Sequence, residues 1–232
     1  MDNQAAINAP APWALMGSGY IIMLKLSRDF VENNCFVPES LKASFIGGNG
    51  TVMYVDYCYS DAGAYQELLF IPGRFDLSAG RYFSITKIFV STLDSVISGR
   101  NNWGIPKEIA SFTCEKKNPS TQCIRVFKDG TAAAELTFRS YPLCVPVTTG
   151  LVPRSWRTLA HVYQDGTYLT TPMARGSIAP ARLVDFSVNE SFFPDFTRGR
   201  IIAAFKIPRF FMVFPKARVF GEFNQIRDPK FG

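Results

Sequence analysis

Short apolar runs, many alternating with polar residues at a period of two, recur along the chain with the spacing of strands whose successive side chains face opposite ways. The clearest are YIIMLKL (20–26), TVMYVDYCYS (51–60), YQELLFIPGRF (65–75), RYFSITKIFV (81–90), ARLVDFSVN (181–189) and RFFMVFPKARVF (209–220). CIRVF and AAAELTF flank Asp129-Gly130, a dipeptide suited to a tight hairpin. Helical signals are few. SRDFVENN opens at Ser27, a residue able to cap a helix, and STLDSVIS runs from Ser91 or Thr92 to Gly99, which suits helix closure. Many strands with a few short helices predict a mainly β (α+β) fold built on antiparallel sheet.

Residues 1–18, rich in Ala, Pro and Asn, read as a flexible N-terminal arm. No repeat, low-complexity tract or charged linker divides residues 19–232, which read as a single domain. The Pro-rich stretch YPLCVPVTTGLVPRSW (141–156) reads as a long connection between two halves of one sheet system. Strand patterns continue in the same style on both sides, which favours that reading over a flexible domain linker.

Composition narrows the function classes. With 47% hydrophobic and 19% charged residues in 232, the chain is globular and long enough to bury a sizeable core. The net charge of +6 is dispersed, with no basic run longer than Lys116-Lys117, so the clustered footprint of a nucleic-acid binder is missing. A modest positive field suits a small carboxylate substrate instead. Five cysteines without a Cys-x-x-Cys pair and a single histidine, His161, argue against a zinc site or a disulfide framework. The early run YIIML is too short for a signal core or a membrane span, so no membrane role and a cytoplasmic location are expected.

One lysine stands out in GRNNWGIPKEIASF (99–112), where Lys107 follows a Trp-Gly-Ile-Pro run. It is either a solvated lysine after a proline turn or an amine whose surroundings alter its chemistry. The order of short motifs decides between these. A strand and short helix are followed by VPESL (37–41), a Tyr-x-Glu strand comes in YQELLFIP, and a strand and helix lead through Gly-Arg to Pro-Lys and a small apolar run. With the closing ARLVDFSVN and FFMVFPKARVF, this order resembles the acetoacetate decarboxylase superfamily over about residues 19–220.

The resemblance implies a cone-like antiparallel β-barrel with flanking helices, a homo-oligomer assembled through its β edges, and an enzyme needing no metal or organic cofactor. It also implies that Lys107 forms a Schiff base with a small-molecule β-keto acid or related carbonyl compound, which then loses CO₂. An ordinary lysine has a pKa of about 10.4, so a neutral amine near pH 7 requires the ammonium to be destabilised by about 4–5 kcal/mol. Burial supplies such a penalty, and Trp103, Ile105 and Pro106 are suitable apolar walls.

Other residues follow from the same resemblance. Glu67 in YQEL matches the family's pocket carboxylate, placed to orient substrate or handle the proton at the enamine carbon. Lys25 falls by spacing where the family has an arginine, and a further family carboxylate falls near Val55 or Asp56. Arg100 pairs with a carboxylate across the pocket or with backbone carbonyls of its own loop. Glu108 stands where family decarboxylases commonly carry a second lysine. A carboxylate 4 Å from the amine is worth about 4 kcal/mol at an effective dielectric of 20, nearly cancelling the burial penalty. Glu108 therefore points away, or the reaction is one of the superfamily's imine-based aldolase or dehydratase reactions. A third reading is a non-catalytic barrel that binds an apolar carbonyl ligand.

Overall fold

The computed structural model describes residues 8–164 and 166–221. In chain order the strands of its first half are β1 (Trp13–Lys25), β2 (Phe45–Gly47), β3 (Asn49–Ser60), β4 (Tyr65–Ile71), β5 (Arg74–Leu77), β6 (Gly80–Phe83), β7 (Lys87–Val90) and β8 (Lys107–Ile109). The second half contributes β9 (Ser111–Asn118), β10 (Thr121–Lys128), β11 (Thr131–Ser140), β12 (Val145–Thr148), β13 (Leu159–Tyr163), β14 (Gly166–Thr170), β15 (Met173–Val188), β16 (Arg200–Phe214) and β17 (Arg218–Gly221). The helices are short: α1 (Arg28–Asn34), α2 (Glu39–Lys42), α3 (Leu93–Trp103) and α4 (Arg154–Arg157).

The strands form two sheets. The larger runs β8-β7-β4-β3-β1-β16-β15-β11-β10-β9 with β12 added on β15, and the smaller runs β17-β14-β13-β6-β5-β2. Pairing is antiparallel except between β7 and β8 and between β6 and β13. The mainly β, antiparallel class is as expected, and the cone-like barrel is an open one, because β8 and β9 end the larger sheet without pairing to each other. Two long apolar runs also divide between sheets: 65–75 into β4 and β5, and 81–90 into β6 and β7.

The central strands are covered on both faces, which explains why β4 reads as an almost unbroken apolar run. Leu68 and Phe70 enter one core with Tyr20, Ile22 and Phe138, while Tyr65, Leu69 and Ile71 enter another with Trp13 and Trp103. Glu67 lies on the same side of β4 as Tyr65 and Leu69, two residues from each. A carboxylate in that row needs a partner.

Helix ends follow local chemistry. Ser27 caps α1 as expected, its Oγ accepting from the Phe30 N–H at 3.3 Å. Thr92 caps α3, but the helix passes through Gly99 and closes at Gly104, whose φ of 64° is the left-handed conformation that favours glycine. The expected arm is partly ordered sheet, since β1 begins at Trp13 and Ala9 donates its N–H to Ser98 Oγ at 3.0 Å; residues 1–7 lie outside the described residues. The Pro-rich connection holds β12 and α4, with β12 paired to β15.

Candidate active site

Gly104 ends α3, the chain turns through Ile105 and Pro106, and Lys107 opens β8 beside Ile88 of β7. That turn delivers the lysine into the second core, where it is 3% exposed. Its Nζ donates to Ser95 Oγ at 2.9 Å and to Tyr65 Oη at 3.3 Å, and lies 3.1 Å from Glu67 Oε2. Three N–H directions thus meet three oxygens. The Tyr65 ring lies 4.9 Å and the Trp13 ring 5.8 Å from the nitrogen.

Glu67 is fixed from its other side. Tyr57 donates its hydroxyl to Glu67 Oε1 at 3.4 Å, and the Tyr57 and Tyr65 rings lie 4.6 Å apart. Burial, reinforced by the Glu67 charge, pushes both phenols well above the ordinary tyrosine range, so both keep their protons and remain donors.

Gly99 has a role the sequence reading missed. A Cβ there would stand 2.6 Å from Lys107 Cδ and 2.8 Å from Cε, so the lysine stem crosses α3 where the helix has no side chain. The glycine that was expected to close the helix instead makes room for the amine.

Lys107 and Glu67 share a cavity of about 640 Å³. Its walls are largely apolar, with Trp13, Leu69, Ile88, Trp103, Phe210 and Met212 among them, and the 141–157 connection supplies Val147, Val152 and Arg157. A second, outer cavity of about 860 Å³ shares only Val147, Arg175, Gly176 and Phe210 with it.

The remaining expected residues fall differently. Trp103 is a cavity wall, packed edge to face against Trp13 and Phe214 with its Nε1 donating to the Pro215 carbonyl at 2.7 Å. Arg100 lines neither cavity and takes the backbone-carbonyl alternative, its Nε and Nη2 donating to the Lys107 carbonyl at 2.9 and 2.6 Å. Glu108 alternates to the opposite side of β8 and meets Lys87 Nζ at 2.6 Å, away from the amine. Lys25 lies exposed at the far end of β1 and lines neither cavity. Of Val55 and Asp56, only Val55 reaches the inner cavity, and Asp56 lines the outer one. His161 is a buried strand residue whose Nε2 accepts from the Ile85 N–H at 3.3 Å.

Residues 6–173, well over half the chain, match the family model for acetoacetate decarboxylase. The chain belongs to the acetoacetate decarboxylase family. An acetoacetate decarboxylase from Legionella pneumophila shares the fold with a TM-score of 0.67 and 12% identity, covering 96% of this chain and 93% of that one. An acetoacetate decarboxylase-like enzyme from Sphingomonas wittichii RW1 gives 0.64 at 12% identity, covering 95% and 97%. The enduracididine biosynthesis enzyme MppR complexed with pyruvate gives 0.62 at 12% identity, covering 93% of each chain. A search of curated proteins finds no match.

Proposed function

We propose that this chain is a lyase that decarboxylates a β-keto acid through an imine on Lys107. The observation that carries this reading is a lysine Nζ buried at a 640 Å³ cavity with a carboxylate 3.1 Å away. Glu67 takes a proton from the ammonium, freeing the nitrogen pair to attack the ketone carbon. The ketone oxygen takes one proton from the nitrogen and the one held by Glu67 and leaves as water, giving the protonated imine. The bond from the α-carbon to the carboxylate then breaks, CO₂ departs, and the electron pair moves through the new enamine to nitrogen. Glu67, reprotonated from solvent, gives a proton to the enamine carbon, and water adds to the resulting imine to release the ketone product and the lysine ammonium.

The surroundings favour the bond-breaking step. Near Lys107 a β-carboxylate would meet Glu67 and apolar walls, because Arg100 is held on a backbone carbonyl and Glu108 faces Lys87. Loss of CO₂ removes a charge that this wall solvates poorly. Ser95 and Tyr65 hold the nitrogen in place through both halves of the reaction.

A second reading keeps the imine and changes its fate to aldol or dehydration chemistry. The absence of a lysine at position 108 favours it, as does the related MppR structure holding the condensation product of pyruvate and imidazole 4-carboxaldehyde. The test is borohydride reduction in the presence of acetoacetate, a longer β-keto acid or pyruvate, followed by intact mass and peptide mapping. A reduced adduct on Lys107 with CO₂ release is the expected outcome. An adduct without CO₂ supports the second reading, and no adduct with any carbonyl overturns both in favour of a binding protein.

A further inference from the structure

The inner cavity has an electrostatic remainder that the imine chemistry does not use. Among the described residues Glu67 is its only carboxylate and stands against Lys107, leaving Arg157 and Arg175. Arg175 places its guanidinium 5.5 Å over the Phe211 ring, and Phe211 lines only the outer cavity. With Arg175 engaged on that outer side, Arg157 is the other arginine of the inner wall, and among the described residues it too has no carboxylate partner.

Its guanidinium is held in place. Nε donates to the Val152 carbonyl at 3.3 Å and Nη1 to the Pro172 carbonyl at 3.1 Å. Among the described residues no carboxylate pairs with Arg157, and Nη2 has no partner. A half-buried guanidinium fixed by two carbonyls, with one nitrogen unused on a cavity wall, is preorganised for an anion.

Pairing in the sheets orders the wall between the two cations. Lys107 pairs with Ile88, and Phe83 pairs with Leu159, two residues beyond Arg157. Ile88, Ile85, Phe83 and Leu159 all line the cavity, so an apolar face connects the amine to the guanidinium.

The geometry points to a substrate with two anionic ends: a β-keto acid whose apolar chain ends in a second carboxylate bound by Arg157. This rests on Lys107 as the imine lysine, and makes Arg157 the specificity-determining residue. The remote carboxylate supplies binding energy, while the reacting carboxylate stays in the apolar corner from which it leaves as CO₂.

The product side of such a reaction provides stable probes: methyl ketones ending in a carboxylate, from 4-oxopentanoate to 9-oxodecanoate, each with its methyl ester. Half-maximal concentrations for borohydride trapping on Lys107 are measured for each. A chain longer than 4-oxopentanoate is expected to be optimal, with the acid about 10–100-fold better than its ester, the usual range for hydrogen bonds to a charged group. Arg157→Gln should remove that preference by weakening the acid alone, and Arg157→Lys should keep part of it. Equal trapping of acid and ester by the unmodified protein, an optimum at 4-oxopentanoate, or equal weakening of both by Arg157→Gln overturns the assignment. Should no ketone be trapped, the imine reading fails by itself. Thermal stabilisation by nonanoate against methyl nonanoate then decides Arg157, selectivity for the acid upholding it and parity overturning it.

Discussion

Two neighbouring strands each bury a lysine against a glutamate, and only one of the two pairs makes a candidate active site. Lys107 is 3% exposed beside Glu67, and Lys87 is 8% exposed beside Glu108. Each ammonium also lies near two aromatic rings, Tyr65 and Trp13 for the first, Phe36 and Phe89 for the second. Burial, ion pairing and aromatic contact are therefore common to both. The difference is space: Lys107 opens on a cavity large enough for a carbonyl compound, and Lys87 lines neither cavity. Glu108 is also one-third exposed where Glu67 is almost wholly enclosed, so water screens the outer pair. A reactive amine needs a void beside it as well as a low-dielectric setting.

The largest effect that tests this contrast is loss of Lys107. Lys107→Ala should reduce turnover to background and abolish the borohydride adduct, with circular dichroism unchanged. Lys87→Met should retain the adduct and lose about 1–2 kcal/mol of stability in denaturant unfolding, the cost of leaving a half-screened carboxylate without its partner. An adduct that disappears with Lys87 and survives with Lys107 replaced would invert the comparison.

The carboxylates should separate next. Glu67→Gln keeps the shape and removes the proton acceptor, so kcat should fall by about 10²–10⁴. Glu108→Gln should change kcat less than about threefold, because its charge stays on the far side of β8. Gly99→Ala sharpens the same point without touching any charge. Alanine suits a helix interior better by roughly 0.5–1 kcal/mol, yet its Cβ displaces the Lys107 stem. The expected result is a fold at least as stable to denaturant with about 10²-fold less imine formation, the scale set by about 1 Å of misplacement.

Much of this corner is legible in the linear chain. Motif order marks Lys107, and Tyr65 and Glu67, two apart on a strand, must share a face. Tyr57 and Ser95 are not legible, because cross-strand register and the facing of α3 bring them to Glu67 and Lys107. Lys25 shows the converse: spacing set it beside the substrate, while it lies exposed at the end of β1 and lines neither cavity, and Arg100 takes the backbone-carbonyl pairing of its two expected ones. Arg157 sits in a stretch with no periodicity to read, and its place depends on where the Pro-rich connection lies over the cavity. The mainly β, antiparallel class was legible, whereas the openness of the sheets was not, since closure depends on pairing between terminal strands that no local pattern reports.

The smallest effect at neutral pH comes from His161, which backs the Lys107 corner. Burial holds its pKa down to about 3 against an ordinary 6.5, with the Trp103 backbone opposing that shift. The folded state therefore keeps the imidazole neutral while the unfolded state takes a proton as pH falls below 6.5. Stability from this group is fully present above pH 6.5 and declines toward pH 3 by about 1.4 kcal/mol per pH unit. His161 binds the Ile85 N–H, and Ile85 and Trp103 both line the inner cavity, so protonation strains that wall. Denaturant unfolding of the protein and of His161→Gln between pH 7.5 and 4.5 should show the steeper loss only with the histidine present. Parallel curves would mean that the imidazole is hydrated in the folded protein and that the corner behind Lys107 is wetter than its packing implies.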